Sequence, residues 1–251
     1  MARHYANKPC LVAERYLLPA VLSTAEVWVS EAMYDKRLPD YRKLISTNRP
    51  ASSAKSKENK PKWKGIVGES YSPEEFENYC CSLQWTGWRP SFIVLHNTGN
   101  PTLASRPNGY TSEHIPNLVH YYRDQMRWSS GPHLFIDDRQ IWVFTPLTLS
   151  GVHSPSWNAL AFGVEMLGDY DAESFDSGRG LEVQKKAIAA CATLSSVLGI
   201  DCDTMRLHRE DPRTTHACPG KNVHKSDFIQ SVKDLLVERN AGGDDAPENK
   251  H

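Results

Sequence analysis

No stretch of this 251-residue chain approaches the roughly 20 consecutive apolar residues that a membrane-crossing helix needs. An excess of one charge is also missing. With 29 Lys and Arg against 30 Asp and Glu the formal net charge is −1, which argues against nucleic acid as a partner and leaves any attraction to anionic surfaces to local patches. The opening Met1-Ala2-Arg3-His4-Tyr5 lacks an uninterrupted apolar core followed by a small-residue cleavage site, so synthesis in the cytoplasm without a signal peptide is expected. Cysteine is sparse and unpatterned. Cys10, Cys80, Cys81, Cys191, Cys202 and Cys218 include one adjacent pair and no regular spacing, which excludes a disulfide framework and points to a reducing compartment at synthesis. Internal repeats are absent as well.

What is present suits one enzyme-sized domain with extras. At 39% hydrophobic and 24% charged residues the chain can bury a sizeable core. Residues 48–64 are polar, basic and rich in Pro and Ser, and read as a linker that closes an N-terminal extension over 1–64. Its five lysines, Lys55, Lys57, Lys60, Lys62 and Lys64, could touch an anionic wall or membrane, although a solvated run is the commoner meaning of such a pattern. The polar tail over 241–251 reads as disordered, which leaves 65–240 as the domain.

Within that domain, short apolar β-branched runs predict strands over 91–96, 132–137, 140–144, 161–166 and 204–208. Helical spacing of apolar residues predicts helices over 112–126, 181–198 and 226–239, the second closed by Gly199. Strands alternating with helices give an α/β domain with a mixed central sheet flanked by helices.

Three residues of metal-binding type sit at the ends of these elements. His96 ends the run Ser91–Leu95, His208 follows Leu207, and Cys218 precedes the tight turn of Pro219 and Gly220. A histidine ending an apolar run is, taken alone, more often a packed residue than a ligand. Two imidazoles and a thiolate together would leave a tetrahedral zinc ion one open position for water, the layout of a hydrolytic rather than a structural site.

The same residues resemble a known family. Val94-Leu95-His96-Asn97-Thr98, Gly131-Pro132-His133-Leu134-Phe135-Ile136, Phe162-Gly163-Val164-Glu165-Met166 and the His208–Gly220 segment follow in the order seen in zinc-dependent N-acetylmuramoyl-L-alanine amidases. That group takes in phage amidase lysozymes, muropeptide-recycling amidases and animal peptidoglycan recognition proteins. The resemblance covers about 85–236 and implies a single amidase domain holding one Zn2+ per chain through His96, His208 and Cys218.

It also implies roles for other residues. Glu165 falls where the recycling type carries a catalytic glutamate that takes a proton from the attacking water, although on its own it would read as a solvated strand-end carboxylate. His216 falls where many relatives have a Lys that stabilises the oxyanion, a departure that should steepen the pH dependence of activity. A second departure is Pro132, which stands where phage amidase lysozymes place a Tyr, so Glu165 is left as the sole base. His133 and His153 match histidines that lie near the metal along the substrate groove, with a packed role for His133 equally open. Trp157 and Asn158 suit a sugar face, the first with a flat apolar surface and the second with both a donor and an acceptor.

The implied reaction is hydrolysis of the amide between N-acetylmuramic acid and L-alanine, on peptidoglycan or on soluble muropeptides. The setting is either an endolysin reaching the wall through a separate pore or secretion system, or a cytoplasmic recycling enzyme. A non-catalytic peptidoglycan-binding module and a secreted antibacterial effector are the alternatives.

Overall fold

The computed structural model describes residues 61–241; the greater part of the N-terminal extension and the tail past Ala241 lie outside the described residues. Among the described residues no helix is long and apolar enough to cross a membrane.

Six strands form one mixed sheet. They are β1 (Glu69–Tyr71), β2 (Phe92–Asn97), β3 (Leu134–Ile136), β4 (Ile141–Val143), β5 (Ala161–Met166) and β6 (Arg206–Leu207), in the spatial order β1-β4-β3-β5-β2-β6. β3, β5, β2 and β6 run parallel, while β4 is antiparallel to β3 and to β1. Side chains alternate along a strand. Ile93, Leu95, Phe162 and Val164 therefore share one face across β2 and β5, and His96, Gly163 and Glu165 share the other. The sheet thus separates its packing face from its chemical face.

Helices supply the rest of the core. The first is α1 (Pro73–Ser82), which opens on a capping box: Ser72 Oγ accepts from the Glu75 N–H at 3.3 Å, and Glu75 Oε2 accepts from the Ser72 N–H at 2.8 Å. α2 (His114–Val119) continues into a wider π-type turn over His120–Gln125. The long α3 (Gly178–Leu198) packs against α1 and against β3, β4 and β5, and buries Val183, Ala187, Ala190, Cys191, Leu194 and Val197. Gly199, at φ +67°, ends it in the left-handed conformation that lets the chain turn away. α4 (Lys225–Ala241) lies on α3 and turns Phe228 and Val232 inward.

Two boundaries differ from the sequence expectation in ways that matter for the site. The strand expected over 204–208 is reduced to Arg206–Leu207, and His208 opens a 3-10 turn just beyond it. At the other end, Trp63 and Lys64 belong to the domain surface rather than to a free linker. The Lys64 N–H donates to the Ser129 carbonyl at 2.8 Å, its Nζ donates to the Ser150 carbonyl and hydroxyl at 2.8 and 2.7 Å, and the Trp63 ring sits edge-on to Phe144.

Candidate metal centre

Three chain segments deliver one donor each. His96 comes from the end of β2, His208 from the 3-10 turn after β6, and Cys218 from the loop before Pro219, and their ligand atoms all lie within 4.8 Å of one another. The two rings are 4.4 Å apart between centroids. The turn and the loop are fastened to each other next to the donors: the Arg209 N–H donates to the Cys218 carbonyl at 2.8 Å, and the Arg209 guanidinium donates to the Gly220 and Val223 carbonyls at 2.7 and 3.2 Å. Gly220 fits where a side chain would not. Its φ is +102°, and a Cβ there would come within 2.5 Å of the Tyr170 backbone.

The electrostatics of the two rings suit a cation, while those of the thiol depend on one. Burial, followed by the neighbouring His208 and His153, pushes the His96 pKa well below the usual imidazole value. Burial and His216 bring His208 down to about 4. Both rings are therefore neutral at neutral pH, with a lone pair to give. Burial raises the Cys218 thiol, which opposes the thiolate unless a cation displaces the proton. The thiol sulfur already accepts the Asn97 N–H at 3.3 Å. Among the described residues His208 Nε2 is buried with no hydrogen-bond partner, an unsatisfied group of the kind an ion accounts for. Two imidazoles and a thiol in this arrangement suit a borderline divalent cation of zinc type with one position left open.

Glu165 is the register partner of His96 on β5 and projects from the same face. It is half-buried, and desolvation raises its carboxyl to about 8. Tyr110 is among the groups that feel its charge, and that phenol is buried with no hydrogen-bond partner among the described residues. His216 is exposed, its ring stacked on His208 at 5.7 Å and 20°.

The remaining residues singled out from the sequence are placed differently. His133 is fully buried: Nδ1 accepts from the Gly163 N–H at 3.0 Å, Nε2 donates to the Leu149 carbonyl at 3.0 Å, and the ring lies flat on Trp88. Both of its nitrogens are committed to backbone, so it presents no group to a ligand. His153 is 3% exposed and directly behind His96, with the two rings hydrogen-bonded. The Asn158 side-chain oxygen accepts the N–H groups of His153 and Ser154 at 2.7 and 2.8 Å, which makes it a brace for that loop. Trp157 is half-buried, edge-on to Phe92.

Sequence reasoning missed Asp211. It is 1% exposed and accepts four hydrogen bonds, from both the Ser156 N–H and hydroxyl, the Ser154 hydroxyl and the Arg213 N–H, at 2.6 to 3.0 Å. Burial pulls its carboxyl upward, and these donors outweigh burial and hold it below the ordinary carboxylate value. The loop carrying His153 is thereby tied to the turn carrying His208. An Asp three residues past a histidine, with two serines far upstream, gave no signal of that tie.

The Amidase_2 family model, described as N-acetylmuramoyl-L-alanine amidase, matches residues 86–221. Peptidoglycan-recognition protein SC2 of Drosophila simulans and of Drosophila melanogaster is 21% identical over 135 residues, which cover 53% of this chain and 70% of the relative. Among solved structures, the N-acetylmuramoyl-L-alanine amidase LysC from Clostridium intestinale URNW is similar with a TM-score of 0.47 at 24% identity, over 60% of this chain and 89% of that one. Wild-type PGRP-LB of Drosophila is similar with a TM-score of 0.46 at 16% identity, over 64% and 82%.

Proposed function

Since the chain belongs to the N-acetylmuramoyl-L-alanine amidase family, we propose that it is an active amidase, cleaving the bond between the N-acetylmuramic acid lactyl group and L-alanine with a zinc ion held by His96, His208 and Cys218. The observation that carries this is the pairing of His96 with Glu165: a carboxyl group of raised pKa stands one strand away from the three-donor cluster, on the same face of the sheet.

A zinc ion held by His96, His208 and Cys218 would supply Lewis-acid chemistry that polarises the scissile carbonyl and makes water a stronger nucleophile. Burial alone would leave the Glu165 carboxyl largely protonated at neutral pH; a cation held beside it by His96, His208 and Cys218 would favour the carboxylate, and in that form Glu165 would take the proton of the attacking water and return it to the departing amine. His216 donates a hydrogen bond to the oxyanion from the open side of the cluster. Burial of His96 and His208 keeps both rings neutral and excludes protons from the donor atoms. Cys218 supplies the negative charge that two imidazoles lack. Residues 65–240 form the catalytic unit, and Trp157 remains a candidate for the sugar face.

The test is release of free stem peptide from purified sacculi and, separately, from soluble muropeptides, with zinc removed by a chelator and then restored. Zinc-dependent release from either substrate supports the reading, and the preferred substrate separates a wall-degrading role from a recycling role. Stoichiometric zinc with no release from either would favour a peptidoglycan-binding module instead.

A further inference from the structure

His153 stands between the first candidate ligand and the β5 backbone. Its Nε2 is 3.0 Å from the Ala161 carbonyl oxygen, and its Nδ1 is 3.0 Å from His96 Nε2. A carbonyl can only accept, so the proton on His153 sits on Nε2. The ring is 3% exposed and, among the described residues, both of its nitrogens face uncharged groups rather than a carboxylate, so nothing holds a second proton and Nδ1 bears a bare lone pair. His96 Nε2, facing that lone pair, must be the donor. With its proton placed there, His96 has Nδ1 as the one ring nitrogen left for the cluster with His208 and Cys218.

The geometry points to His153 as a positioning residue that locks His96 in the Nε2–H tautomer and orients its Nδ1 as the metal-binding atom. A ligand's second nitrogen is commonly held in this way by a carbonyl or a carboxylate. Here another imidazole performs the task and passes the constraint on to a backbone carbonyl. His153 is not itself a fourth ligand, because both of its nitrogens are occupied by His96 and Ala161.

Three further features hold the ring in place. Gly163 lies directly beneath it, and a Cβ at that position would overlap the His153 ring. The His153 N–H is fixed by the Asn158 side-chain oxygen at 2.7 Å. The next residue, Ser154, donates its hydroxyl to Asp211 at 2.6 Å, and the Asp211 N–H donates to the His208 carbonyl at 2.9 Å. A single strap thus reaches from the support of the first ligand to the backbone of the second.

For its metal, the inference rests on the zinc amidase reading; for the tautomer it does not, and the experiment separates the two. Long-range 1H–15N correlation on metal-free, histidine-labelled protein reads which nitrogen of each ring carries the proton. His96 should be protonated on Nε2 in the wild type. Zinc affinity is then measured by competition with a chromophoric chelator, with circular dichroism to check the fold. His153→Phe, which keeps a planar ring and removes the acceptor, should weaken zinc by about 10- to 100-fold. His153→Asn, which returns an acceptor oxygen near the position of Nδ1, should recover much of that loss. A wild-type His96 protonated on Nδ1, or a folded Phe variant that binds zinc as tightly as wild type, overturns the assignment. If the wild type binds no zinc, the amidase reading falls, and the tautomer spectrum alone decides the role of His153.

Discussion

His96 and Glu165 are register partners on neighbouring parallel strands, with side chains on the same face of the sheet. Adjacent strands lie about 4.8 Å apart, so a candidate ligand and a candidate base are set side by side by backbone hydrogen bonding rather than by flexible loops. Their residue types would mean little in isolation. Strand pairing makes them one site, because a one-residue slip of β5 would turn Glu165 to the packing face and bring Val164 or Met166 beside His96.

Replacing Glu165 by Gln preserves shape and removes the proton acceptor. Turnover should fall by about 100-fold or more while bound zinc, counted by metal analysis, stays at the wild-type level. Unchanged turnover would assign the base to another group.

Replacing Cys218 by Ser should remove both stoichiometric zinc and activity, since a hydroxyl at this position is a far weaker ligand than a thiolate. Cys81→Ser on α1 should lose neither. Metal analysis after gel filtration, together with the peptide-release assay, separates these outcomes.

The central strands were legible because their apolar runs are continuous and bounded, and β5 lies over the expected residues 161–166. β1 was not, since three residues carry too little periodicity to stand out. α1 was not expected either, although Ser72-Pro73-Glu74-Glu75 carries a capping box with Pro in the first helical turn. The three donors could be read from residue type and motif order. The hydrogen bond between His96 and His153 could not, because 57 residues separate them and no sequence pattern says which ring nitrogen meets which. For the same reason His133 and His153 look alike in the sequence, yet one ring is sealed between backbone groups and the other braces the cluster.

His133 should register as a pH-dependent term in stability. Burial holds it neutral, with a pKa well below the ordinary value of 6.5, whereas the unfolded chain takes up a proton near that value. The unfolded state therefore binds more protons at acid pH, so this contribution is fully present above about pH 6.5 and is lost as pH falls toward the folded value. Denaturant unfolding of metal-free protein should show His133→Phe less stable than wild type near neutral pH, because Gly163 N–H and Leu149 carbonyl lose their partner, at about 1–3 kcal/mol for each buried group. The gap should narrow at about pH 4.5, where wild type alone pays the cost of keeping that ring uncharged. A gap independent of pH would show that His133 is charged or solvated in the folded chain.

His216 is the residue at which residue type and position must be weighed against each other. It is exposed and stacked on His208, so it could merely cover a ligand ring, or it could donate to the oxyanion from the open side of the cluster. The two roles separate in kinetics. Loss of an oxyanion donor acts on the transition state alone, so His216→Ala should lower kcat by about 100- to 1,000-fold, equivalent to about 2.7–4 kcal/mol, with KM and zinc affinity little changed. Loss of a cover over His208 would instead weaken zinc and leave kcat per bound zinc intact. His216→Lys discriminates further, because an ammonium group can donate to an oxyanion but cannot stack as a planar ring. Recovery of kcat by Lys would establish the donor role, whereas zinc loss in both variants with normal turnover per zinc would make His216 a structural neighbour of the second ligand.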